Sequence, residues 1–254
     1  MVGRGGIAAL RGQIAVVTGG GGGIGSAICR RLAAAGAQIV ITYNNHAGKA
    51  QAVADTLAGA GHLVLRCPVD DAAAQKELAR AVSETYGRLD ILVNNAGISK
   101  AVAHEDLIAL DDELIDRIFR VNFRGAFASL RALQPLLRAG EGGVVINISS
   151  IAGRTGVGSN VAYCASKAAL DSMTRSLARA LAPQIRVLSV SPGWVNGDYA
   201  QRMPRALIAE QEAKTPLGRI AEADDVAAAV YAAIAHLRFS TGDIIPVDGG
   251  RPLC

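Results

Sequence analysis

Short apolar runs recur along the chain at Ile14 to Thr18, Gln38 to Tyr43, Leu63 to Val69, Ile91 to Asn94, Val144 to Ile148, Ile185 to Val190 and Ile244 to Val247. Several are apolar without alternation, which is the pattern of strands covered on both faces. Longer Ala- and Leu-rich stretches separate them, near Ser26 to Ala35, Lys49 to Ala60, Ala72 to Tyr86, Asp112 to Arg138, Tyr163 to Leu181 and Glu222 to His236. These predict helices. Regular alternation of the two implies right-handed βαβ crossovers, and so an α/β fold with one parallel, doubly wound sheet and helices on both faces. No Pro/Ser-rich linker, repeat or low-complexity tract divides residues 1–254, so one domain is expected. Pro192 to Gly218 is the least regular stretch. It is too long for a simple connection and is expected to form a substrate-binding loop region, 192–218.

Composition narrows the function classes. Half the 254 residues are apolar and 19% are charged, which describes a globular chain with a core large enough to need no staple. The net charge of +4 is mild and dispersed, so nucleic acid is not an expected partner. Cys29, Cys67, Cys164 and Cys254 share no ligand spacing and the four histidines are scattered, which argues against a disulfide framework or a metal site. Met1 to Gly12 is a poor signal peptide, and the longest apolar run, Val226 to Ala235, is about half of a ~20-residue span. No membrane association is expected, and the cytoplasm is the expected compartment.

The segment Thr18-Gly19-Gly20-Gly21-Gly22-Gly23-Ile24-Gly25 lies between the first strand and the first helix. Glycine suits a tight turn that must approach a pyrophosphate closely, and the helix that follows presents free N–H groups and its positive end to that anion. A glycine turn alone is weak evidence; its place between an apolar strand and a helix makes it a Rossmann-type nucleotide loop. No G-K-[ST] follows, which disfavours a phosphate-transferring loop.

The TGGGGGIG run resembles the TGxxxGxG form of the short-chain dehydrogenase/reductase family. So do Asn94-Asn95-Ala96-Gly97, the ordered set Asn122, Ser150, Tyr163 and Lys167, Pro192-Gly193, and Thr241-Gly242 with Val247-Asp248-Gly249-Gly250. The similarity runs from about Ile14 to Gly250 and is nearest in pattern to 3-oxoacyl reductases and related alcohol dehydrogenases. The resemblance implies a catalytic tetrad of Asn122, Ser150, Tyr163 and Lys167. It implies cofactor contacts at Gly19, Gly23, Ile24, Gly25, Tyr43, Asn44, Val69, Asp70, Asn95, Ala96, Gly97, Tyr163, Lys167, Pro192, Gly193 and Val195. It also implies a homo-oligomer, tetramer or dimer, assembled through the long helices and the C-terminal strand.

These residue types suit hydride transfer. A reduced carbonyl becomes an alkoxide that must be protonated, so the site needs a positioned acid. Forming a tyrosine phenolate at pH 7 costs roughly 4 kcal/mol unassisted. Tyr163 and Lys167 share one helix face, and a lysine cation ~5 Å away contributes about 3 kcal/mol toward the phenolate. By the resemblance, Lys167 also holds the nicotinamide ribose, Ser150 orients the substrate oxygen and Asn122 keeps a water-linked proton path. A second reading of Asn122, a polar residue satisfying a helix irregularity, is compatible with that role.

Some positions depart from the family pattern. An acid at the end of the second strand would select NAD; here the strand ends Thr42-Tyr43-Asn44-Asn45-His46, with Lys49 following. NADP(H) is therefore favoured and NAD(H) stays possible. Pro68 stands where many relatives carry an adenine-binding Asp, leaving Asp70 to reach. No threonine follows Pro192-Gly193, and Asn196 is a substitute amide partner. Glu141 and Gln184 stand where reductases of carrier-bound substrates tend to be basic. Trp194, Tyr199 and Met203 either line an apolar substrate pocket or pack a short helix. The leading expectation is NADP(H)-dependent interconversion of a ketone or 3-oxoacyl group and a secondary alcohol. An NAD-dependent dehydrogenase of a sugar, polyol or cyclic alcohol comes second, and a nucleotide-sensing regulatory protein is the reading from another class.

Overall fold

The computed structural model describes residues 9–197 and 200–253. The chain opens with β1 (Ile14–Val17), α1 (Gly23–Ala34), β2 (Gln38–Tyr43), α2 (Ala47–Ala54), β3 (Leu63–Arg66), α3 (Ala72–Tyr86) and β4 (Ile91–Asn94). A long helical arm follows, made of α4 (Asp112–Phe119), a π-helical stretch (Arg120–Gly125) and α5 (Ala126–Leu137). Then come β5 (Gly143–Ile148), α6 (Ala152–Thr155), α7 (Val161–Leu181), β6 (Ile185–Pro192), β7 (Val195–Asn196), α8 (Arg205–Ala213), β8 (Ala221–Glu222), α9 (Ala223–Ala235) and β9 (Ile244–Val247).

The main sheet is parallel, with strand order β3-β2-β1-β4-β5-β6-β9. Its two faces explain why the strands read as continuous apolar runs. Ala15, Val17, Ile39, Ile41, Ile91 and Val93 pack with α1, α2 and α9, while their neighbours Ile14, Val16, Val40 and Leu92 pack with α3, α5 and α7. Adjacent residues thus enter opposite cores. The order reverses between β1 and β4, and the crevice beyond the carboxyl ends of those strands is where an open α/β sheet binds ligands.

Several element boundaries differ from those expected. The third strand stops at Arg66 rather than Val69: the Cys67 amide still reaches Tyr43 O at 2.8 Å, but Pro68 has no N–H to continue the ladder. The second helix covers 47–54, not 49–60, and Gly59 and Gly61 beyond it have positive φ. The first helix begins at Gly23, three residues before the expected start. The expected helix 112–138 is interrupted at the π-helical stretch, around Asn122. The region 192–218 carries β7, a 3-10 turn and α8, and β7 pairs with β8 in a small second sheet.

Candidate active site

The glycine loop is shaped by its neighbours. Gly19 adopts φ +65°, and a Cβ there would stand 3.2 Å from Ala96 Cα. At Gly25 a Cβ would sit 2.5 Å from Gly19 O and 2.6 Å from Asn95 Nδ2, so no larger residue fits. At Gly23, by contrast, a Cβ would meet nothing within 4 Å, and at Gly22 it would meet Gly19 O at 3.6 Å, an ordinary contact. No side chain caps α1 at Gly22, which leaves the first-turn amides of Gly23, Ile24 and Gly25 free toward the crevice. That cradle fits the pyrophosphate of a dinucleotide.

Asn95 and Ala96 hold this loop. Thr18 Oγ1 accepts from the amides of both at 3.0 Å, and Asn95 Nδ2 donates to Thr18 O at 2.9 Å and Gly19 O at 3.1 Å. The Asn-Asn-Ala-Gly segment therefore braces the glycine loop across the β1/β4 switch point. Thr18, quoted in the sequence only as part of the motif, is the hub of this bracing.

At the end of β2, Tyr43 is half-buried and Asn44 exposed. Arg66, which sequence reasoning passed over, pairs in register with Tyr43 and donates from Nε to Asn44 O at 3.2 Å. Only the parallel pairing of β2 with β3 makes it a neighbour, so no local signal announced it. Val69 is buried against Gly125, and its carbonyl accepts from Gln75 Nε2 at 3.2 Å, while Asp70 is exposed beside it.

Asn122, Tyr163 and Lys167 converge from two elements. Asn122 is 1% exposed; its Oδ1 accepts from Ile98 N at 2.8 Å, and its Nδ2 donates to Ile98 O at 3.0 Å and Ser166 Oγ at 3.1 Å. It is the polar residue of a helix irregularity and it also fastens the chain leaving β4. A Cβ on Gly97 would lie 3.3 Å from Asn122 Oδ1 and 3.7 Å from Lys167 Nζ, so these three positions meet at one point. Lys167 Nζ donates to Ile148 O at 2.8 Å and lies 5.7 Å from the centre of the Tyr163 ring. Burial pushes its pKa down from the usual lysine value to about 8, and the charge of Asp171 works against that fall.

Tyr163 stands in the first turn of α7, where Asn160 caps the helix by accepting from the Tyr163 amide at 2.7 Å. Asn160 also donates to Lys100 O at 2.7 Å, tying the loop after β4 to the start of α7. Its role was readable from an Asn three residues before a helical tyrosine. Ser150, at the exit of β5, is half-buried and accepts from the Ala152 amide at 3.2 Å. Ser149 points the other way and is 3% exposed, with Oγ donating to Lys167 O at 3.4 Å. Of the two serines Ser150 is the one that keeps some exposure to solvent.

The remaining expected residues divide. Pro192 ends β6, Gly193 and Val195 follow it at the same sheet end, and a Cβ on Gly193 would meet Asp248 Cα at 3.1 Å. Asn196 is exposed and its Nδ2 donates to Glu222 Oε1 at 3.1 Å. Trp194 and Met203 are half-buried; Tyr199 and Cys254 lie outside the described residues. Burial pushes the thiols of Cys29 and Cys67 up to about 12 and about 11, so neither offers a thiolate. Among the described residues no group of three or more His, Cys, Asp or Glu side chains could hold a metal ion.

A tyrosine hydroxyl with a buried ammonium 5.7 Å from its ring is suited to exchanging a proton with a carbonyl oxygen. Fold and site together define a dinucleotide-dependent oxidoreductase. The family described as Enoyl-(Acyl carrier protein) reductase matches residues 19–251. The chain is 38% identical over 245 residues to a cis-4-hydroxycyclohexanecarboxylate dehydrogenase of Sinomonas cyclohexanicum, covering 94% of this chain and 96% of that one. It is 36% identical over 247 residues to the 3-oxoacyl-[acyl-carrier-protein] reductase of Escherichia coli, covering 95% and 98%. A solved short-chain dehydrogenase/reductase from Brucella melitensis, titled glucose/ribitol dehydrogenase, superposes with a TM-score of 0.90 at 29% identity, covering 96% and 98%. The chain belongs to the short-chain dehydrogenase/reductase family, oxidoreductases that interconvert alcohols and ketones and use NAD(P)(H).

Proposed function

We propose that this protein reversibly reduces a ketone or 3-oxoacyl group to a secondary alcohol, with NADP(H) as partner and Tyr163 as the proton-transferring residue. The convergence of Asn122, Tyr163 and Lys167 beside the braced glycine loop carries this reading. Gly19, Gly23, Ile24 and Gly25 would hold the pyrophosphate; Tyr43, Asn44 and Arg66 the adenosine ribose; Val69 and Asp70 the adenine. Asn95, Ala96, Gly97, Pro192, Gly193 and Val195 would line the nicotinamide half. When bound, that ring supplies the carbon that gives or takes hydride. Ser150 orients the substrate oxygen. Tyr163 gives its hydroxyl proton to the alkoxide in reduction and takes one in oxidation. Lys167 favours the phenolate by its charge and binds the ribose hydroxyls. Residues 192–218 form the substrate-binding region over this crevice.

Arg66 supports NADP(H). Its exposed guanidinium lies over Asn44, where an NAD-selecting carboxylate is missing and a 2′-phosphate would be welcomed. One exposed charge-assisted contact of ~1.5–3 kcal/mol corresponds to roughly ten- to a hundredfold preference, shrinking with added salt. Comparing kcat/KM for NADPH and NADH on one ketone tests this; Arg66→Ala should erode the preference and Asn44→Asp should erase it. A clear NADH preference in the native protein overturns it. NAD-dependent oxidation of a cyclic alcohol is the second reading, favoured by the Sinomonas relative. Assembly into a homo-oligomer is supported by exposed Phe127 on α5 and Phe239 near the C-terminal strand. Three buried free thiols suit a reducing cytoplasm.

A further inference from the structure

Lys167 must carry its charge in a place that penalises charge, since it is nearly fully buried. A second ionisable group lies on the same stripe of α7. Asp171 follows Lys167 by one helical turn, is 6% exposed, and its Oδ1 has no hydrogen-bond partner. A face that only needed to pack would carry an apolar residue there, as Leu170 and Met173 do nearby. A buried carboxylate oxygen left without a donor calls for a reason.

The groups facing Asp171 are few. The hydroxyls of Ser149, after β5, and Ser189, on β6, stand beside it, together with the charges of Arg175 and Lys167 on α7 itself. The α4 helix and the π-helical stretch also pack on α7, yet among the described residues neither brings a charge that acts on it. The surrounding polar groups form a seam beneath the site. Ser189 Oγ pairs with Thr174 Oγ1 at 2.8 Å, Asn147 Nδ2 donates to that threonine at 2.8 Å, and Asn94 Nδ2 donates to Asn147 Oδ1 at 2.9 Å. Among the described residues, Asp171 is the one charged group that acts on Lys167.

We propose that Asp171 is a positioning residue for the reaction, the buried counter-charge that acts through space, one helical turn away and without an ion-pair contact, on the Lys167 ammonium behind Tyr163. This rests on Tyr163 and Lys167 being the proton-transferring pair. Asp171 acts only through Lys167. Its own repulsion of a Tyr163 phenolate spans two turns, ~12 Å along the helix, about twice the distance to Lys167, and is the weaker effect. Without its charge, burial acts on Lys167 unopposed, and the ammonium gives up its proton at lower pH.

The test is the pH profile of kcat/KM for alcohol oxidation in Asp171→Asn, which keeps the shape and removes the charge, with Asp171→Glu as the charge-retaining control. In Asp171→Asn the alkaline limb should move to lower pH by at least about threefold in proton concentration, and kcat near pH 7 should fall about three- to tenfold. Asp171→Glu should return the limb toward its native position. Fluorescence titration should show NADPH affinity changed by less than about threefold, which excludes collapse of the nucleotide site. A uniform loss of rate with an unmoved limb, or a variant that no longer folds, makes Asp171 a packing residue and overturns the proposal. If Tyr163→Phe and Lys167→Met are inactive in the same assay, that outcome spares the catalytic reading. Native-like activity in those two variants would remove the reading itself.

Discussion

Lys167 sets the terms at the level of single residues. It is held by one carbonyl, Ile148 O, in a place that pushes its pKa down to about 8. A base whose folded pKa lies below its unfolded value is a liability while charged. The unfolded chain binds more protons between about pH 8 and the ordinary lysine value, so stability rises with pH across that window. Relative to Lys167→Met, the native protein should therefore gain up to about 3 kcal/mol as pH is raised from below 8 to above 10. Urea unfolding of both proteins at the two pH values checks this, and a difference independent of pH would refute it. Gly25 makes a steric claim instead. A Cβ at 2.5 Å from Gly19 O must displace the loop, so Gly25→Ala should cost ~1–3 kcal/mol of stability and weaken NADPH binding at least tenfold or so, read by melting and fluorescence titration. The Tyr163/Lys167 spacing was legible because four residues mark one helix face. Arg66 and Asp171 were not. One depends on which strand lies beside β2, and the other on which face of α7 meets the sheet.

The secondary-structure elements were legible in kind more than in extent. Apolar runs located the strands of the main sheet, because the central strands β1, β4 and β5 are buried along their whole length, while the edge strands β3 and β9 are only partly covered yet still largely apolar. Their ends depended on single backbone groups, as Pro68 shows by ending β3 early. A helix irregularity at Asn122 was one reading of the sequence, but its π-helical form and its extent, Arg120–Gly125, leave no mark in a 3.6-residue period. Tertiary demand from Ile98, whose N–H and C=O both bond to the Asn122 amide, is what the irregularity serves. Asn160 shows the same coupling at the start of α7, where it caps the helix at Tyr163 and grips Lys100 O. Asn160→Ala should cost about 1–2 kcal/mol in urea unfolding and should lower kcat more than it raises the KM for NADPH. A loss confined to stability would show that the cap does not aim Tyr163.

On the scale of the whole molecule, the parallel sheet with its reversal between β1 and β4 assigns the work by position. The glycine loop, the Asn95 brace, Ser150 and the Pro192-Gly193 turn all lie just beyond the carboxyl ends of β1, β4, β5 and β6. This arrangement could be read from the order of strands, helices and motifs alone. The contents of 192–218 could not, since short pieces such as β7 and α8 lack enough residues to show a period. The central claim is that this crevice performs hydride transfer with Tyr163 as the proton partner, and the Tyr163→Phe variant tests it most directly. Substitution keeps the ring and removes one oxygen, so NADPH affinity should stay within about threefold of native while kcat for ketone reduction falls at least about a hundredfold. Near-native kcat in that variant, with the cofactor bound as before, would contradict the account.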